Sequence, residues 1–154
     1  MRFFLILLIV CCVVSCSQRD PRSHDLVPAA GVVLHNGQPV AEASITFHRE
    51  DGDGSLAGGS ALSGSNGAFS INMFGKGDGT LPGTYRVTVV KETVESPVSP
   101  EELVRLERED KPIPPSKVVS HLGAKYRNTE TTDIIVTVPP KGTKDLRIEL
   151  NDNP

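Results

Sequence analysis

Beyond residue 29, short runs in which apolar and polar side chains alternate are separated by Gly, Asn, Asp and Pro. A period of two broken by turn residues is the pattern of half-buried strands. Gly31 to His35 predicts the first strand, and Asn36-Gly37 the tight turn that follows it. From Val40 to His48, the side chains of Ala43, Ile45 and Phe47 share one face, and those of Ser44, Thr46 and His48 the other. Arg49 to Gly59 is too rich in Gly and Asp for anything but a loop. Ser60 to Ser63 predicts a short strand, Ser65-Asn66-Gly67 a turn, and Phe69, Ile71 and Met73 then alternate with Ser70 and Asn72. Between Thr84 and Lys91, Tyr85, Val87 and Val89 point inward while Arg86 and Thr88 point outward. Ile134, Val136 and Val138 make another face. Leu146, Ile148 and Leu150 make the last, with Arg147 and Glu149 toward water and Pro139-Pro140-Lys141-Gly142 between the two strands.

An isolated strand is marginal in water, so these apolar faces must pack on each other. A parallel sheet would need a helix between successive strands, and a single helix candidate exists. The pattern therefore predicts an all-β domain, an antiparallel sandwich of about seven strands. The helix is Pro100 to Asp110: Ser99 serves as N-cap with Glu102 three residues on, and Pro100 suits the first helical position. Glu101 and Arg105 stand at favourable i,i+4 spacing. Leu103 and Leu106 give only a narrow apolar stripe, which places the helix on the surface, and Lys111-Pro112-Ile113-Pro114-Pro115 ends it. The whole stretch 92–131 reads as a long loop carrying this helix.

The N-terminus follows a different logic. Met1 and Arg2 precede an apolar run from Phe3 to Val14, then a small residue, Ser15. Twelve residues span roughly 18 Å of helix, against about 30 Å of bilayer hydrocarbon, so the run predicts a secretory signal over 1–15 rather than a membrane span. All three cysteines, Cys11, Cys12 and Cys16, fall here. Val13-Val14-Ser15-Cys16 resembles the bacterial lipobox, in which the signal is cut before the cysteine and its thiol receives a diacylglycerol. That resemblance implies lipidation at Cys16 and a mature chain with no thiol left to form a disulfide. Residues 16–28, polar and with two prolines, read as a lipidated flexible tether, and 29–151 as the single domain. One acyl chain anchors only marginally, at about 0.8 kcal/mol per buried CH₂, so two or three chains on one cysteine would be the firm anchor.

Composition narrows the classes further. The formal net charge is −3 with no basic cluster, which excludes a nucleic-acid surface. Without Trp and with few aromatics, the core must be mainly aliphatic. His24, His35, His48 and His121 stand at no metal-ligand spacing, and neither Asp51-Gly52-Asp53-Gly54 nor Lys76-Gly77-Asp78-Gly79 has the twelve-residue calcium arrangement ending in Glu. Ser60, Ser63 and Ser65 lack a nucleophile elbow and read as turn serines. Glu42, Glu50 and Asp51 form no recognisable acid pair. No catalytic residue, metal or cofactor is expected, and the chain reads as a non-enzyme.

Three stretches, GVVLHNGQPVAEASITF, SNGAFSI and GTLPGTYRVTV, resemble the carboxypeptidase regulatory-like, or transthyretin-like, domain. The order of pieces is similar to small single-domain lipoproteins of planctomycete bacteria: Gly31 to Val33, Gly37 to Ala43, Asn66 to Phe69, Pro82 to Tyr85, Lys125-Tyr126, and Ile134 to Leu150. The resemblance implies an Ig-like or prealbumin-like Greek-key sandwich. It also gives structural weight to Asn36, Gly37, Asn66, Gly67, Pro82, Gly83 and Tyr85, the last with its ring in the core and its hydroxyl tied back to the corner. The purine-pathway hydrolase on this fold ends in Tyr-Arg-Gly-Ser, whereas this chain ends in Asn151-Asp152-Asn153-Pro154. The expected role is an exported structural or protein-interaction module. It would be held to a lipid bilayer through Cys16, facing periplasm or exterior, and would meet an envelope protein or polysaccharide. The alternative is a carbohydrate-binding accessory domain.

Overall fold

In a computed structural model, residues 25–50 and 57–151 are described. The stretches expected as a signal over 1–15 and a tether from Cys16 to residue 24, and the Asp51-Gly52-Asp53-Gly54 stretch, lie outside them. Among the described residues ten strands run in the order β1 (Ala29–His35), β2 (Gln38–Pro39), β3 (Ser44–Arg49), β4 (Ala57–Leu62), β5 (Ala68–Ser70), β6 (Gly83–Val90), β7 (Glu92–Glu95), β8 (Lys117–Ser120), β9 (Ile135–Val138) and β10 (Thr143–Leu150). Helix α1 (Pro100–Arg108) separates β7 from β8, and a 3₁₀ turn, Ala124–Arg127, precedes β9. The chain is mostly β, with several antiparallel sheets, as the alternation predicts.

One sheet is built around β1. Its first half pairs antiparallel with β5 and its second half with β2, while its other edge pairs with β10 along its whole length. The second sheet has the order β4-β3-β6-β9, antiparallel throughout. Inward side chains of both sheets form one apolar cluster: Val33, Phe69, Ile148 and Leu150 from the first, Ile45, Phe47, Val87, Val89 and Val138 from the second. Phe47 joins the layers, its ring 6.4 Å from Phe69 and 5.5 Å from Tyr85, tilted against both as aromatic quadrupoles favour.

Several expectations need correction. The arrangement is not wholly antiparallel, because β1 and β10 run parallel, Val33 opposite Ile148. Parallel neighbours need a long connection between them, and here almost the entire domain supplies it. Gly31 permits the pairing to close: a Cβ there would lie 2.0 Å from the Leu146 carbonyl oxygen, where the register shifts. The stretch from Val40 to His48 is not one strand, because the chain turns at Ala41-Glu42 with Glu42 at φ 56 before β3 begins. Val27 and Pro28, expected to belong to a tether over 16–28, join the fold. Val27 exchanges backbone hydrogen bonds with Thr80 at 2.8 and 3.1 Å and packs against the core, and the Pro28 carbonyl accepts from the Thr143 N–H. Finally, 92–131 is not simply a loop with a helix: Glu92–Glu95 and Lys117–Ser120 within it pair as β7 and β8.

Candidate functional site

The residues given structural weight by the sequence fall into three places. Asn36 (φ 51) and Gly37 (φ 79) form the two-residue turn between β1 and β2, both in the left-handed region that such hairpins demand. The Asn66 side chain accepts from the Ala68 N–H, and the Gly67 carbonyl accepts from Val33, which holds the β4–β5 turn against β1. Pro82 precedes β6, and Gly83 is its first residue rather than part of a tight turn. The Tyr85 ring is fully buried, and its hydroxyl donates to the Leu81 carbonyl four residues upstream at 2.6 Å. Thr80, also fully buried, donates to the Gly58 carbonyl and sits 3.1 Å from the same phenol oxygen. These groups hold the corner. Cys16 lies outside the described residues.

The excursion between β6 and β9 is where the molecule departs from a plain β domain. β7 and β8 form a two-stranded ribbon that pairs with neither sheet. Its strands are Glu92-Thr93-Val94-Glu95 and Lys117-Val118-Val119-Ser120, with Val94 directly opposite Val118. Those two side chains remain 69% and 57% exposed. Helix α1 carries no buried residue. The Ser99 hydroxyl accepts from the Glu102 N–H at 3.2 Å, and Pro100 opens the helix, so the predicted start is observed. Two side-chain details differ from expectation. Arg105 pairs with Glu102 at i,i+3, not with Glu101. The Glu101 carboxyl is instead held below its ordinary value by its own backbone N–H first and by the Ser99 side chain second. At the other end the Lys111 N–H reaches the Leu106 carbonyl, and Asp110 takes φ 50, so α1 stops at Arg108 in a Schellman turn.

The arm returns to the domain at one plug. Tyr126, in the 3₁₀ turn, is 1% exposed, and its hydroxyl both donates to the Asn151 carbonyl and accepts from the Asn151 N–H, each at 2.7 Å. Lys125 beside it lies over the same ring, 4.8 Å from its centre, and 3.4 Å from Asp133. The phenol and carboxylate oxygens hold the Lys125 ammonium above its ordinary value, the Tyr126 contact being the larger cause. Among the described residues, four of the seven exposed large hydrophobic side chains, Val94, Val104, Ile113 and Val118, belong to this excursion. That concentration makes it the leading surface for contact with another molecule.

At the root of the arm is a cleft of about 220 Å³ lined by His35, Gln38, Pro39, Val40, Lys91, His121 and Leu122. Lys91 is the last residue before the ribbon and His121 the first after it, joined by the His121 N–H to the Lys91 carbonyl at 2.9 Å. The His121 ring bonds the Thr93 hydroxyl at 2.8 Å. His35 comes from the end of β1, opposite Gln38. Two histidines that stand alone in the sequence thus share one cavity, and nothing in their spacing signals it.

Elsewhere, candidate chemistry is absorbed by structure. Asp78 accepts backbone N–H groups of Met73, Phe74 and Gly75, and the Asn72 side chain accepts from Gly77. The Asp/Gly loop there is stitched by its own backbone. His48 bonds the Thr88 hydroxyl at 2.9 Å, and partial burial lowers its pKa. Ser63 is not a turn serine on the surface but a buried tie, donating to the Val40 carbonyl at 2.7 Å and accepting from the Ala43 N–H at 2.8 Å. Among the described residues no three His, Cys, Asp or Glu side chains converge on a metal position, and no helix is long and apolar enough to cross a membrane.

No known family model matches the chain, and no curated protein matches it. Among solved structures, a 9R-lipoxygenase from Cyanothece PCC8801 is similar at a TM-score of 0.37 and 12% identity, over 84% of this chain. The chain spans 16% of that protein's length. A likeness of that size carries no assignment of fold or activity.

Proposed function

We propose that this chain is an exported, lipid-anchored, non-enzymatic module of the cell envelope, and that the β7–α1–β8 arm is its contact surface for a protein partner. The domain is read as a Greek-key sandwich of the prealbumin type, a carboxypeptidase regulatory-like domain, modified by the parallel β1–β10 pair. The observation that supports the interaction role is the arm itself: a ribbon with two unpaired edges, a helix that buries nothing, and most of the exposed large apolar side chains. An extended partner segment can add to such an edge, main-chain hydrogen bonds supplying affinity and the valine face selectivity. The anchoring role rests on the apolar leader, the lipobox-like Val13-Val14-Ser15-Cys16 and the polar residues that follow. Lipid at Cys16 would hold the domain to the bilayer, and the tether would give the arm reach.

The arm is tested by in-cell crosslinking of the wild type and of a Val94→Lys, Val118→Lys double variant. Both side chains are already exposed, so the variant should fold with wild-type stability. The proposal expects discrete crosslinked protein species that vanish in the variant. Equal crosslinking by both, or capture of polysaccharide alone, would overturn the protein-contact reading in favour of the carbohydrate-binding one.

A further inference from the structure

We infer that the cleft at the root of the arm is a binding site for an oxyanion, the carboxylate or sulfate of a small acid or of one residue of an acidic sugar. Three elements distant in sequence meet there: His35 from the end of β1, Lys91 from the junction of β6 and β7, and His121 from the end of β8. All three side chains present nitrogen, and Gln38 adds an amide. Among the described residues that line the cavity none is Asp or Glu. Glu92, next in sequence to Lys91, is ion-paired with Arg127.

The chemistry favours an anion over a metal ion. Two imidazoles fall short of the three or four ligands a structural or catalytic zinc needs, and the Lys91 ammonium would repel a cation. For an oxyanion the same set is suited: an ammonium supplies the charge, and imidazole and amide N–H groups supply charge-assisted hydrogen bonds. His121 spends one ring nitrogen on Thr93, which orients the ring. Val40 and Leu122, both nearly buried, with Pro39, give an apolar wall for the carbon skeleton that carries the anion. The volume lies just under the usual range of about 300–1,000 Å³ for small-molecule sites, enough for one small acid or one sugar unit. This inference is independent of the anchoring and of the partner at the arm's tip.

The test is a titration of the full chain in detergent with histidine rings isotopically labelled, using sodium glucuronate, sodium sulfate, glucose and sodium chloride at matched ionic strength. The expected result is a saturable shift of the His35 and His121 ring signals with glucuronate and sulfate, in the range of about 1 mM. His24 and His48 should stay unmoved, and glucose and chloride should have no effect. Lys91→Gln should weaken binding by about tenfold, the scale of one lost charge-assisted bond. His121→Gln should weaken it as well, with unchanged His48 signals reporting an intact fold in either variant. Shifts shared by all four histidines, an equal effect of chloride, or undiminished binding in both variants would overturn the site.

Discussion

The Tyr126 hydroxyl is the pin by which the excursion is fastened to the end of the domain, and removing it gives a calculable loss. Tyr126→Phe keeps the buried ring but deletes two hydrogen bonds of 2.7 Å, one donated to and one accepted from the Asn151 backbone. Such bonds contribute about 0.5–1.5 kcal/mol each, so the pair sets a range of about 1–3 kcal/mol. Asn151 is exposed, and water can take up part of its backbone capacity, which selects the lower half of that range. The expected cost is about 1.5 kcal/mol, a fall in Tm of roughly 6 °C for a domain of this size. Tyr126→Ala removes the ring too and should cost about 3–5 kcal/mol through the cavity left behind. Urea unfolding followed by fluorescence or circular dichroism gives the free energies, and amide exchange at Asn151 localises the loss. Tyr126→Phe with unchanged stability, or with Asn151 still protected, would refute the pin.

Other consequences follow from the same geometry. Ser63→Ala strands the Val40 carbonyl and the Ala43 N–H at a buried position, so it should cost more than Tyr126→Phe, about 2–3 kcal/mol by urea unfolding. Asp110→Gly relieves a left-handed backbone at the end of α1 and should stabilise the chain by about 0.5–1 kcal/mol, seen as a higher denaturant midpoint. Burial lowers the His48 pKa below its unfolded value, so the neutral ring stabilises the fold above the unfolded value and that contribution fades as pH falls through the folded one. Tm should therefore decline between roughly pH 7.5 and 5, and His48→Gln should flatten the decline.

Those strands with one wet and one dry face were legible in the sequence. The alternations Ile45-Phe47, Tyr85-Val87-Val89, Ile134-Val136-Val138 and Leu146-Ile148-Leu150 all turned their apolar members into the shared core. Alternation says which face is buried but not which strand is the neighbour, so the parallel partnership of β1 and β10 was invisible. The β7–β8 ribbon has no buried face to impose an alternation, and it read as loop. Val27, one apolar residue among polar and proline neighbours, carries no period, and only its pairing with Thr80 brings it into the fold. The root cleft was hidden for a different reason: His35, Lys91 and His121 meet through tertiary folding alone, with no local spacing to betray it. Asn36-Gly37 and Ser99 were readable because turn and cap chemistry is local.

Intact mass of the protein extracted from native membranes, with fractionation of a Cys16→Ser variant beside it, tests the proposed anchoring most directly. The account predicts a chain that begins at Cys16, heavier than its residues by a diacylglycerol and a further acyl group, and a variant that leaves the membrane fraction. A mass beginning at Met1 with an unmodified Cys16 thiol, or a variant that fractionates as the wild type does, would contradict it.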